Sequence, residues 1–289
     1  MDRHTIIFST DERQRNLGEL LPGTQTFCSW EDYEKEESKE DKIEKIYVLP
    51  TPVSKLDSLT DVAEKLKRKL QKEIASGKTL LVFGGAFTES WRSFFVWHNI
   101  SYVDFMKQES ITEGNAYITA EATIAELLKL SPYSIRAQNV IVTGYGKCAK
   151  AIAQLLKRLE ASVTVVARRE EAKNAAKEEG YEVCDFSEIK DKVQMCHSVI
   201  NTVPALVLTQ EILSAMPQDA VILDIASKPG GTDFDAAKEL GIRSKLALGL
   251  PGIYSTKSSA LLLEKAMLQY APLQAQERGE QSWIFQIII

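Results

Sequence analysis

The sequence predicts an α/β protein of two domains, each built on a parallel sheet. Three observations carry that expectation. Short apolar runs alternate with helical apolar spacing along most of the chain. Ser131-Pro132 interrupts the alternation near the middle, because a residue before proline disfavours the helical conformation. The stretch Asn139-Val-Ile-Val-Thr-Gly144-Tyr-Gly146-Lys-Cys-Ala149 joins an apolar strand to a helix through a glycine turn. A length of 289 residues leaves room for two domains, and a hydrophobic fraction of 44% supplies substantial cores.

In chain order, residues 5–8, 46–49 and 79–83 read as strands. The acidic run 31–44, with interspersed lysines, reads as a solvated helix face or loop. Residues 60–74 form a helix with Val62, Leu66 and Leu70 on one face. Thr51-Pro52 and Gly84-Gly85 follow strand ends, where open α/β sheets carry ligand loops. An Ala-, Leu- and Ile-rich helix over 120–130 ends at Ser131-Pro132. The expected domains are therefore 1–131, an α/β substrate or partner domain, and 132–256, a doubly wound dinucleotide-binding domain. Residues 257–289 are a helix and tail packing back on the first. The second half has strands at 140–143, 163–167, 198–201, 220–224 and 244–247, with helices at 147–159, 170–179, 232–240 and 257–270. The apolar tail 282–289 reads as a strand that pairs with a sheet edge or a partner, or as a disordered end.

The glycine turn carries the first functional expectation. Gly144 permits a tight turn, Gly146 lets the backbone approach a pyrophosphate, and Ala149 packs the helix onto the strand. Tyr145, Lys147 and Cys148 complete the loop, and the helix opening there directs N–H groups and a positive dipole end at phosphate. Ile152, Leu155, Leu156 and Leu159 form its buried face. A glycine turn of any α/β protein is the competing reading; the strand before, the helix after and a second strand about 20 residues on favour a dinucleotide. That second strand ends in Arg168-Arg169 rather than in an acid. Guanidinium groups cannot accept protons from a ribose diol but can clamp a 2′-phosphate, which favours NADP over NAD. The alternative is a solvated basic pair opening the next helix.

Composition narrows the rest. A net charge of −5 without a basic stripe argues against nucleic acid. No run reaches the ~20 apolar residues of a membrane span, and no signal pattern opens the chain. Cys28, Cys148, Cys184 and Cys196 have no metal-ligand spacing, and His4, His98 and His197 are scattered, so no metal is expected. Inert thiols fit a reducing cytoplasm.

Three further segments follow predicted strands: Ile200-Asn201-Thr202-Val203-Pro204, Leu223-Asp-Ile-Ala226-Ser227-Lys228-Pro229-Gly230-Gly231-Thr232-Asp233-Phe234, and Leu250-Pro251-Gly252. Together with the glycine turn and Asn115…Thr119-Ala120-Glu121, they resemble the dipicolinate synthase A-subunit family over residues 115–265. The Ala-Ser-Lys-Pro-Gly-Gly-Thr-Asp-Phe run is the most specific element. Departures are Ala149 at the third glycine position, Ala122 after Glu121, and Ile-Tyr-Ser-Thr-Lys257 after Leu-Pro-Gly.

The resemblance implies a flavodoxin-like N-terminal sheet hinged to an NADP-binding Rossmann domain. It implies oxidation of a dihydro- or tetrahydrodipicolinate-type ring to pyridine-2,6-dicarboxylate during sporulation. Its implied partners are a flavoprotein-like B subunit and, in a homo-oligomer such as a dimer, further copies of the chain. By the same analogy Thr202, Val203 and Pro204 flank the adenosine side, Ala226, Ser227 and Lys228 approach the nicotinamide, and Leu250 and Pro251 close the far end.

A substrate with two carboxylates calls for cations. Lys228 is the first candidate and Lys257 or Arg92 the second; a solvated loop lysine is the plain alternative for Lys228. Pro229-Gly230-Gly231 could form an anion nest, with Thr232 and Asp233 capping the following helix. Glu121 is the candidate base, against a reading as helix N-terminal charge. Asn115 and Thr119 are candidate contacts to carboxamide or substrate. Two other functions compete: a dehydrogenase of another small carboxylate, such as a 2-hydroxy acid, and a cofactor-binding subunit without turnover. His197 precedes a cofactor-domain strand, the wrong place for the acid–base histidine of a hydroxy acid enzyme.

Overall fold

The computed structural model describes residues 3–36 and 44–270. The chain forms two compact units, Met1–Gly114 with Ser255–Ile289, and Asn115–Tyr254.

The first unit holds β1 (Arg3–Phe8), β2 (Thr24–Phe27), β3 (Glu44–Val48), β4 (Thr79–Gly84) and β5 (Ser101–Asp104). All pair in parallel in the order β2-β1-β3-β4-β5, the flavodoxin-like order. Alternate side chains leave on opposite faces, and each face has its own core. Ile6, Phe8, Tyr47 and Leu49 pack with Leu66, Leu70, Trp91 and Phe95 from the helices Thr60–Ala75 and Glu89–Trp97. Ile7, Ile46 and Val48 pack on the other side with Leu17, Leu263 and Met267, from the helices Glu12–Leu20 and Thr256–Tyr270.

The second unit holds β6 (Asn139–Thr143), β7 (Ser162–Val166), β8 (Glu182–Cys184), β9 (Ser198–Asn201), β10 (Val221–Asp224) and β11 (Arg243–Leu246). Their order, β11-β10-β9-β6-β7-β8, is that of a doubly wound dinucleotide-binding sheet, with the switch point between β6 and β9. Val140 and Val142 face Ile152 and Leu156 of the helix Lys147–Arg158, while Ile141 faces Ile189 and Leu213.

Sequence patterning missed β2, β5 and β8. All three are short edge strands, where one neighbour is missing and polar residues are tolerated. The helix expected from Ala120 begins at Glu109 and ends at Leu130. Buried Ile111, Ala116, Ile118, Ala120, Ala122, Ile124 and Leu127 are spread around its circumference, so no single stripe marks its start. The two units divide within this helix, at Gly114/Asn115, whereas the expected break at Ser131-Pro132 is where the helix stops.

Leu159 is a correction. It lies at the C-cap of the helix Lys147–Arg158 and is exposed, since the chain is leaving the core there. The acidic run is also not wholly solvated. Its first part is the helix Trp30–Glu36, which buries Trp30 and Tyr33 against Phe8 and Phe27. The tail 282–289 lies outside the described residues. No helix among the described residues is long and apolar enough to cross a membrane.

Candidate dinucleotide site

The second sheet places its candidate site at the C-terminal ends of β6, β7, β9 and β10. Gly144 follows β6 with φ +83, and its N–H donates to the Val166 carbonyl at 2.7 Å. A Cβ there would lie 2.8 Å from Thr202 Oγ1, so glycine is required by conformation and by space. Gly146 differs. Its φ of −82 suits any residue, and a Cβ built on it meets no protein atom within 4 Å. It is the N-cap of the helix Lys147–Arg158, and no side chain caps that end. The first turn of the helix therefore offers its N–H donors beside open space, which fits a diphosphate. Ala149 is buried in the helix–sheet core.

The Tyr145 side chain lies in the helix–sheet core. Its ring is buried, edge-on to Tyr181 at 6.2 Å with the Lys150 ammonium 5.1 Å from its centre. Burial pushes its phenol well above the ordinary range, which keeps the hydroxyl protonated. Cys148 is partly buried, and burial raises its thiol pKa against the opposing hydrogen bond with Thr119. The Thr119 hydroxyl donates to the Asn115 carbonyl at 2.7 Å, so it bonds within its own helix. Asn115 and Thr119, the candidate contacts to carboxamide or substrate, are both buried.

The switch point is held by a polar lock in which Thr143 and Asn201, given no role by sequence pattern, join Thr202 and Val203. The Thr143 hydroxyl donates to Asn201 Oδ1. Thr202 Oγ1 donates to the Thr143 carbonyl at 2.7 Å, and the Val203 N–H donates to Asn201 Oδ1 at 3.1 Å. Asn201 Nδ2 returns a bond to the Val203 carbonyl at 3.1 Å. The ends of β6 and β9 are thus fastened, leaving Thr202 and Val203 partly exposed and Pro204 exposed at the rim. The available signal was a polar Thr or Asn closing an otherwise apolar strand.

Asp224 organises the segment after β10. Its fully buried carboxylate accepts from the Ala226 N–H at 3.0 Å, the Gly231 N–H at 2.8 Å and the Thr232 hydroxyl at 2.8 Å. The Gly230 N–H donates to the Ser227 carbonyl at 2.9 Å. This overturns the anion-nest reading of Pro229-Gly230-Gly231: the Gly230 N–H is taken up by the Ser227 carbonyl and the Gly231 N–H by the Asp224 carboxylate. Thr232 likewise does not cap the next helix. Asp233 alone does, accepting from the Ala236 N–H at 3.0 Å. Gly231 lies against the loop after β9, since a Cβ would come 2.4 Å from the carbonyls of Val203 and Ala205. Ala226 is buried, while Ser227 and Lys228 project from the turn.

Arg168 and Arg169 lie just past β7 and are exposed. Leu250 is buried in the core with Ala247, and Pro251 is partly exposed. Glu121 is exposed in mid-helix, well past the first turn at Glu109, so the helix-terminus reading of its charge falls. Lys257 is exposed near the start of the helix Thr256–Tyr270. Arg92 is engaged by Glu89 and the Phe87 carbonyl.

One cluster had no sequence signal. Buried Glu126 accepts from Lys245 Nζ and from the Tyr254 hydroxyl, and Lys129 Nζ donates to Tyr254 at 2.6 Å. The bonds from Lys245 and Tyr254 hold the Glu126 carboxyl down to about 2. The cluster pins the segment after β11 to the helix Glu109–Leu130. Its members are far apart in sequence, so spacing could not reveal them.

Comparison with known proteins agrees with this geometry. Residues 105–228 match the NAD binding domain of D-isomer specific 2-hydroxyacid dehydrogenase, which supports a nicotinamide cofactor. The A subunit of dipicolinate synthase from Bacillus subtilis is 35% identical over 176 residues, 61% of this chain and 59% of the relative. The chain resembles the dipicolinate synthase A-subunit family. The matched stretch spans less than two thirds of that relative's length. The fold is shared more widely than the sequence. The dipicolinate synthase A-subunit structure from Bacillus halodurans superposes with a TM-score of 0.76 at 23% identity, covering 94% of this chain and 98% of that one. Its Bacillus subtilis counterpart gives 0.74 at 22% identity, covering 93% and 95%.

Proposed function

We propose that this chain is an NADP-dependent oxidoreductase subunit of the dipicolinate synthase A type, converting a dihydro- or tetrahydrodipicolinate-type ring to pyridine-2,6-dicarboxylate. The observation that carries this reading is the glycine turn at the β6/β9 switch point, where Gly146 and the uncapped first turn of the helix Lys147–Arg158 border open space. Exposed Arg168 and Arg169 at the end of β7 support the phosphorylated cofactor over NAD.

A bound nicotinamide supplies the hydride acceptor. The protein's part is to hold, orient and desolvate. The Thr143–Asn201–Val203 lock fixes the rim of the crevice. The Asp224-centred loop presents Lys228 outward, where it meets a substrate carboxylate. Glu121 is the carboxylate we assign to removing the proton that accompanies hydride loss. Self-association and a second, B-type subunit belong to the same reading, the latter because the Bacillus subtilis relative is itself one subunit of its synthase.

The test is to incubate the chain with NADP and a dihydrodipicolinate precursor, with and without a candidate B subunit. Pyridine-2,6-dicarboxylate formed by the chain alone supports a complete enzyme. Product only when the second subunit is present assigns a shared activity, and none in either case removes the proposal.

A further inference from the structure

The first unit has a switch point of its own. In the order β2-β1-β3-β4-β5 it lies between β1 and β3, and open sheets of this type receive ligands outside the C-terminal strand ends at that place. Turns 9–11, 50–52 and 84–86 leave the sheet there and are bound to one another. Gln14 Nε2 donates to the Leu49 carbonyl at 2.9 Å, and the Thr10 N–H donates to Gln14 Oε1 at 2.9 Å. Arg13 Nη2 donates to the Thr51 carbonyl at 2.8 Å and to Asp11 Oδ2 at 3.2 Å. Lys55 Nζ donates to the same Asp11 oxygen at 3.0 Å. A Cβ on Gly85 would lie 2.6 Å from Thr51 Oγ1, so the turn after β4 closes against Thr51.

Two polar atoms in this construction have no partner: Arg13 Nε and Thr51 Oγ1. Their residues are 4% and 7% exposed. A buried polar atom left unpaired destabilises the fold, and here two occur on adjacent turns. Arg13 and Lys55 share the carboxylate of Asp11. Asp104 is occupied in holding the neighbouring turn, accepting from the N–H groups of Ala86, Phe87 and Met106. The unpaired polar atoms of Arg13 and Thr51 and the Lys55 ammonium thus lie on adjacent turns at one strand-end position, while the helix Glu12–Leu20 is itself capped by Asp11, which accepts from the Gln14 N–H at 3.3 Å. The ligand they suit is a small anion, and the planar guanidinium matches a planar carboxylate.

We propose that Arg13, Thr51 and Lys55 form a carboxylate-binding site at the β1/β3 switch point, taking one carboxylate of a small dicarboxylate. An oxygen of the ligand accepts from Arg13 Nε–H and the Thr51 hydroxyl, with Lys55 at the rim. Both atoms are shielded from solvent as the turns stand, so entry parts the turns after β1 and β3. The site deepens the proposed function and rests on it in one respect, the choice of a pyridine dicarboxylate as ligand.

The experiment is calorimetry of pyridine-2,6-dicarboxylate, of inorganic phosphate and of NADPH with the full chain and with Thr51→Val and Lys55→Ala. The expected result is dicarboxylate binding that weakens about fivefold or more in each variant, as loss of a charge-assisted bond predicts. NADPH affinity stays at the parent value. Thr51→Val is nearly isosteric and removes an unpaired buried hydroxyl, so its apo melting temperature should equal or exceed the parent's while dicarboxylate affinity falls. A purely structural Thr51 would not separate the two. Unchanged dicarboxylate affinity in both variants, no dicarboxylate binding to the parent, or phosphate binding in its place overturns the site. If NADPH fails to bind while the dicarboxylate losses hold, the proposed function falls and this site stands.

Discussion

At the residue scale, the two glycines of the turn after β6 do different work, and substitution should separate them. Gly144 has φ +83 and sits against Thr202, so any side chain there strains the fold. Gly146 has an ordinary φ and open space where a side chain would go. Gly146→Val should fold with a melting temperature close to the parent's yet lose NADPH binding at least tenfold, because its methyl groups occupy the phosphate position; fluorescence titration reads this directly. The arginines give a second prediction. NADPH should bind at least tenfold tighter than NADH, and replacing Arg168 and Arg169 with alanine should bring the two affinities together. Equal affinities in the parent chain would remove the 2′-phosphate role. Lys228 and Glu121 are exposed and outside the core. Steady-state kinetics of Lys228→Ala should therefore raise KM for the substrate with NADPH affinity retained, and Glu121→Gln should lower kcat instead.

At the element scale, the segment after β11 depends on Glu126. Its carboxyl is held down to about 2 by bonds from Lys245 and Tyr254, against about 4.3 in an unfolded chain. A depressed folded-state pKa stabilises the fold above the unfolded value, and that contribution is lost as pH falls from about 4.3 toward 2. Glu126→Gln should melt lower than the parent at pH 7, and the gap should close as pH approaches 2–3; a gap independent of pH would refute the clasp. Legibility at this scale follows the same physics. Central strands were read within a residue or two, because burial on both faces demands unbroken Val, Ile and Leu. The edge strands β2, β5 and β8 were not, because they need no such run. The helix Glu109–Leu130 was found only in its second half, because residues buried around its circumference do not form a stripe.

At the scale of the whole molecule, the first unit is discontinuous: the helix Thr256–Tyr270 returns to it after the second unit is complete. The helix Thr256–Tyr270 covers one face of the first sheet through Ala260, Leu263, Ala266 and Met267. Leu263 is nearly fully buried beside Leu17 and Ile46. Leu263→Ala should cost about 2–5 kcal/mol, measured by denaturant unfolding. A value near zero would mean the returning helix adds little to the first core.

Local pattern alone determined the α/β class, the alternation of central strands and helices, the glycine turn with its helix, and the basic pair that follows β7. Each is written in neighbouring residues, through apolar period, turn chemistry or charge. Tertiary structure decided which donors remain available to a ligand. The Gly230 and Gly231 N–H groups looked free until the fold placed the Ser227 carbonyl and the Asp224 carboxylate beside them, and packing encloses the side chains of Thr119 and Tyr145. Partnerships such as Glu126 with Tyr254, or Arg13 with Thr51, join residues whose spacing carries no message, because hydrogen bonds and burial depend on proximity in space rather than on order along the chain.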